Sequence, residues 1–240
     1  MEHLKPISIT WYGHSAFLIR DGAGTSVLID PWLDNPKCPV KPRDVPRPDL
    51  ILVTHGHGDH IGNAVEIAGR SDVPVVAIHE VSLFLGTQGV ANPIGMNKGG
   101  TLEVGNVSVT MTHAVHSSDI DIGGGGKLQP GGEPAGFVIS FAGHPRVYHA
   151  GDTDVFGDMK LIRELHRPEI AILPIGGLYT MGPREAALAV SFLEPRWIIG
   201  MHYGTFPPLR GTPGELIGHL PAGRKGSVAE LAPGTPRIFE

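Results

Sequence analysis

The run His55-Gly56-His57-Gly58-Asp59-His60 constrains this chain more than any other feature. Three imidazoles and a carboxylate fall within six residues, directly behind an apolar stretch at 50–54 that reads as a buried strand. The two glycines permit the sharp turn that brings four side chains toward one point. Crowding three imidazoles costs stability unless a cation organises them, and neutral imidazole is the commonest metal ligand. Six residues cannot all close on one ion without strain. Two ions divide them naturally, with His55 and His57 at one and Asp59 and His60 at the other.

Each ion then needs ligands from elsewhere, and other predicted strand ends supply them. His116 follows the strand-like segment 107–113, Asp152 follows 146–150, and His202 closes 197–202. Metal-binding side chains at successive strand ends mark one rim of a sheet. The remaining pattern predicts strands over 7–12, 15–20, 25–30, 73–78, 136–141 and 170–175. Helices are expected from His60 onward through Ile61, Ala64, Val65 and Ala68, over 80–87 and 156–166, and over 184–193 behind Pro183. Thr212 and Glu215 form a capping box that opens a short last helix. With 34 Gly and 22 Pro among 240 residues, tight turns are frequent; 31–48 reads as a long loop and 119–135 as a glycine-rich loop without a regular element. No composition break appears, so residues 1–240 read as one domain, an α/β sandwich of two mixed sheets.

Composition excludes several functions. The net charge of −5 argues against electrostatic capture of nucleic acid. A single cysteine, Cys38, leaves no disulfide framework or zinc–thiolate cluster and has no neighbouring base to make it a nucleophile. No apolar run is long enough to span a membrane, and the first residues show no basic-then-apolar leader, so a cytoplasmic location is expected.

The order of H-x-H-x-D-H, a later His, Gly-Asp-Thr and a last His resembles the metallo-β-lactamase superfamily over essentially the whole chain. The segments WYGHSAFLI, HSS at 116–118, AGDT at 150–153, YTMGP at 179–183 and MHYGTFP at 201–207 are similar to one branch of it. That branch comprises uncharacterised bacterial and archaeal metal-dependent hydrolases, near the ascorbate-6-phosphate lactonases and the N-acyl-phosphatidylethanolamine phospholipases. The resemblance implies an αββα four-layer sandwich with the site at the edge between its two sheets. It implies that His55, His57 and His116 hold a first metal, that Asp59, His60 and His202 hold a second, and that Asp152 bridges them. Asp30 then supports the ligands from behind, as do Thr153 and His149, while His14 lies on the substrate side and acts with Asp59 in catalysis. Gly177-Leu178-Tyr179 departs from the acidic or amide residue expected after Pro174-Ile175-Gly176.

Gly123, Gly124, Gly125 and Gly126, with Thr180, are read as a loop covering substrate; no Gly-Lys-Ser/Thr sequence makes the glycines a phosphate loop. His113 competes with His116 for the third ligand position, and the HSS context selects His116. His79 reads as a loop residue, and His3, His144, His166 and His219 as solvent-exposed. Five histidines and two aspartates without sulfur favour borderline or harder ions: zinc first, then manganese, nickel or iron. Such a pair lowers the pKa of a water between the ions and polarises the bond under attack. The expected activity is hydrolysis of an ester, lactone, amide or phosphodiester in a small molecule. The alternatives are a mononuclear iron dioxygenase of the same fold and an RNA-processing nuclease; a homo-oligomer stays open.

Overall fold

Short apolar runs separated by turns build two sheets in the computed structural model of the chain, which describes residues 4–240. In the first, β1 (Ile7–Trp11), β2 (Phe17–Arg20) and β3 (Ser26–Ile29) are antiparallel neighbours. β4 (Leu50–Leu52), β5 (Val75–Ile78) and β6 (Pro93–Met96) continue from β3 in parallel. In the second, β7 (Thr101–Val104), β8 (Val107–His113), β11 (Ala135–Phe141) and β12 (Val147–His149) are antiparallel. β13 (Ile170–Pro174) and β14 (Trp197–Met201) then run parallel to β12. Every residue of β3, β4, β5 and β13 is buried, the pattern of strands covered on both faces.

Helices cover the outer faces and complete an αββα sandwich. α3 (His79–Thr87) packs on β5 and β6. On the other side α5 (Pro183–Leu193) packs on β13, flanked by α4 (Met159–His166) and α6 (Pro213–His219). Pro183 is the first residue of α5, and the capping box of α6 forms as its sequence predicts, with Thr212 Oγ1 accepting from the Glu215 N–H at 3.2 Å. The sheets are joined above the site: the Ala135 N–H donates to the Thr54 carbonyl at 3.0 Å, and the His149 ring packs edge-on to Phe17.

Some expectations are corrected. The helix at His60 breaks into α1 (Gly58–Ile61) and α2 (Ala64–Gly69), because Gly62 at φ 44° brings the chain against Trp32. Residues 119–135 do hold regular structure, a ladder of β9 (Ile120–Asp121) with β10 (Leu128–Gln129). Its tip turns because Gly123, Gly124 and Gly126 adopt positive φ, and Asp121 Oδ1 accepts from the Gly126 N–H at 3.1 Å. His79 opens α3 instead of lying in a loop. His144 is buried, with Nδ1 3.0 Å from the Pro6 carbonyl and the Phe141 ring beside it. His166 is half-buried, His219 exposed, and His3 lies outside the described residues. The edge strands β6, β7 and β15 (Pro236–Phe239) carried too little apolar alternation to be read from sequence. Among the described residues no helix is long and apolar enough to cross a membrane.

Candidate metal centre

The predicted site residues converge at one rim. Asp30 follows β3, His55 follows β4, His116 follows β8, Asp152 follows β12, and His202 follows β14. The backbone is bent hard to put them there. His14, Asp30 and His202 all have positive φ, at 51°, 44° and 55°, and all three are buried. Such conformations cost non-glycine residues energy and persist where the surroundings over-determine them.

Three groups of donor atoms form. His55, His57 and His116 make one, His14, Asp59, His60 and His202 a second, and His55, His60 and Asp152 a third that overlaps both; within each group the donor atoms lie within 4.8 Å of one another. His55 Nε2 and His57 Nδ1 face each other at 2.9 Å. Asp152 reaches the first two groups, with Oδ2 2.9 Å from His202 Nε2, 3.3 Å from His60 Nε2 and 3.6 Å from His116 Nε2. Among the described residues, His60 Nε2, Asp152 Oδ1 and His202 Nδ1 are buried yet make no hydrogen bond. Unpaired buried polar atoms cost about 1–3 kcal/mol each, and the His60 and Asp152 donors, which share a group with His55, suit a cation. The donors are nitrogen and oxygen only, which fits borderline or hard divalent ions.

The rings of these groups are held from behind. Asp30 accepts from the Thr54 N–H, the Thr54 hydroxyl and His60 Nδ1–H, each at 2.8 Å. Thr54 Oγ1 in turn accepts from His55 Nδ1–H at 2.9 Å. One carboxylate thereby sets the tautomer of a ring in each group and leaves both Nε2 atoms facing inward. Sequence reasoning named Asp30 but missed Thr54; the available signal was a lone hydroxyl ending an apolar strand. Thr54→Val should weaken divalent-metal binding by about 10–100-fold, as should Asp30→Asn, in competition with a chromophoric chelator. An unchanged Thr54→Val would contradict the shared support. Ser118 was also missed: its Oγ accepts from the Gly56 N–H at 3.1 Å and donates to the Gly131 carbonyl at 2.9 Å. A Cβ on Gly56 would lie 2.2 Å from the Ser118 carbonyl oxygen, so this position admits glycine alone.

Thr153 Oγ1 accepts from the Val115 N–H at 2.9 Å, tying the end of β12 to the loop that carries His116. His149 Nδ1 accepts from the Gly151 N–H, so its Nε2–H donates to the Ser15 carbonyl at 3.2 Å. His113 is exposed and points elsewhere, 3.1 Å from Lys98 Nζ, so it is His116 that joins the cluster. Thr180 lines a cavity of about 470 Å³ with Val115, Leu178 and Tyr179. Gly123, Gly124, Gly125 and Gly126 lie exposed at the tip between β9 and β10. His14, expected on the substrate side, is fully buried and bonded to Asp59.

Electrostatics follow from burial and neighbours. Burial pushes His14 down to about 4 and His55 well below its usual value; it also lowers His57, His116 and His149. Burial would lower His60 as well, but Asp152, Asp30 and Asp59 around it raise it well above. For Asp152, burial is outweighed by His202 and His60, and for Asp59 by His60 and His14, so both carboxyls stay below the usual range. Unfolded histidines take up protons near pH 6.5. Between that value and about 4 the unfolded chain therefore binds more protons than the folded one at His14. His60 acts oppositely, its stabilisation being complete below 6.5 and lost at higher pH. With five site rings lowered and one raised, chelator-treated protein should lose several degrees of Tm between pH 7 and pH 5. Thermal melts that are flat or rising toward acid would refute this balance.

Comparison with known proteins gives the family. The profile of the beta-lactamase superfamily domain matches residues 8–202. A UPF0173 metal-dependent hydrolase of Koribacter versatilis is 51% identical over 214 residues, covering 89% of this chain and 91% of its own. Another from Methanosarcina mazei is 49% identical over 232 residues, 96% of this chain and 98% of its own. Among solved structures, Igni18, a metallo hydrolase from the archaeon Ignicoccus hospitalis, superposes with a TM-score of 0.87 at 37% identity, over 98% of this chain and 99% of its own. The chain belongs to the beta-lactamase superfamily and, within it, to the UPF0173 metal-dependent hydrolases.

Proposed function

We propose that the chain is a hydrolase in which two divalent ions, zinc first among them, share one centre. His55, His57 and His116 hold one ion, Asp59, His60 and His202 the other, and Asp152 lies between. The observation that carries this reading is the reach of Asp152 Oδ2 to ring nitrogens of both groups, within 3.6 Å of each. When bound, the ions supply Lewis acidity and an acidified water. The chain's own side chains do the rest. Asp59 is the most accessible of the three site carboxylates, its side chain 27% exposed against 2% for Asp152 and none for Asp30. Held below the usual carboxylate range, it stays ionised at neutral pH and accepts a hydrogen bond from the attacking water, which it orients without storing the proton. Asp30 and Thr54 keep His55 and His60 from turning as charge develops.

The cavity lined by Val115, Leu178 and Tyr179, and a second of about 420 Å³ lined by His116 and Ser117, offer space for a small ester, lactone, amide or phosphodiester. The net charge of −5 gives no support for a nucleic-acid substrate. One core cluster takes residues from both sheets, which supports reading the whole chain as one domain. Elemental analysis of zinc-loaded protein should return two ions per chain, and chromogenic ester, lactone and phosphodiester probes should be turned over only by the loaded form. A firm stoichiometry of one, or turnover unaffected by chelator, would overturn the reading.

A further inference from the structure

We propose that Thr205 is a positioning residue: its hydroxyl fixes His14 as the Nε2–H tautomer, and His14 thereby holds the Asp59 carboxylate in place for a divalent ion. This rests on the reading of Asp59 as a ligand given above. His14 occupies the turn between β1 and β2. Its carbonyl accepts from the Trp11 indole N–H at 2.9 Å and from the His202 backbone N–H at 3.0 Å, so its strained backbone cannot relax. The ring is walled in by His202, with centroids 4.0 Å apart, and by the edges of Trp32 at 5.0 Å and Phe206 at 5.7 Å.

Among the described residues its hydrogen-bonding contacts are two. Nδ1 lies 3.0 Å from Thr205 Oγ1, and Nε2 lies 3.0 Å from Asp59 Oδ2. A ligating carboxylate offers only acceptors, whereas a hydroxyl can donate. The Nε2 proton therefore goes to Asp59, and the Thr205 hydroxyl donates to the lone pair on Nδ1. The opposite tautomer would press two acceptors together at 3.0 Å. The tether matters because Asp59 is the site carboxylate open to solvent, free to swing away if Oδ2 is released. Thr205 stands 191 residues from His14, and no spacing rule connects them.

The test is titration of zinc alone into chelator-stripped, full-length protein, competed against a chromophoric chelator. Thr205→Val should weaken one of the two binding steps by about 10–100-fold and leave the other within about threefold. Thr205→Ser, which keeps the hydroxyl, should restore wild-type affinity. Wild-type binding by Thr205→Val overturns the proposal, as does a Thr205→Ser variant as weak as Thr205→Val, since the methyl group's packing would then explain the loss. Side-chain ¹⁵N NMR of the zinc-loaded wild type reads the tautomer directly, even if Thr205→Val fails to fold. A proton on Nε2 supports the assignment, and a proton on Nδ1 overturns it. Failure of the wild type to bind a second zinc would instead defeat the underlying reading of the site.

Discussion

Asp152→Asn should fold and should fail to hold divalent ions at either position. The amide keeps the shape of the carboxylate and removes its charge, which among the described residues is the one negative group in reach of His60, His116 and His202 together. Two unit charges 4 Å apart interact by about 4 kcal/mol at an effective dielectric near 20, and doubly charged ions by more. A carboxylate between two cations offsets that repulsion, and its loss is felt at both. Outer partners of ligands cost about 10–100-fold in affinity when mutated, so a shared ligand should cost more than 100-fold at each ion. Elemental analysis after dialysis reads the first outcome, and hydrolysis of a surrogate ester the second, with turnover falling to near background. Retention of both ions with near-normal turnover would end the shared-carboxylate account.

The second large effect separates two histidines three residues apart. His116→Ala removes a ring whose centroid stands 5.1 Å from those of both His55 and His57, leaving that group with two members. The expected result is loss of one ion and of most activity. His113→Ala, by contrast, removes an exposed ring that touches Lys98 and Phe156. Surface changes of that kind usually stay within about 0.5 kcal/mol of stability, so both ions and most activity should survive. Measured side by side, metal content and melting temperature distinguish the two positions. The reverse pattern would reassign the third ligand.

Much of this was legible in the residues themselves, and the physical reason is local. The fully buried strands β4, β5 and β13 are short, β-branched-rich apolar runs bounded by turn residues, a pattern that favours a strand covered on both faces. The turn at Gly56 and Gly58 and the cap at Thr212 are written in residues that act on their immediate neighbours. The density of imidazole behind β4 announced a cation site before any coordinates. The edge strands β6, β7 and β15 were illegible, since their pairing partners, not their own pattern, make them strands. The β9–β10 ladder was hidden for a similar reason, its glycines reading as a loop without a regular element until their positive φ closed the turn.

Residue types alone marked the side chains able to hold ions, because donor chemistry belongs to the side chain wherever it stands. How those side chains are held depends on folding. Thr54 joins His55 to Asp30, Ser118 locks Gly56 to Gly131, and Thr205 meets His14 across 191 residues of chain. These contacts depend on strands from distant parts of the chain ending at the same rim. A hydroxyl looks the same in any sequence, and it acquires a role only when folding fixes which lone pair it faces.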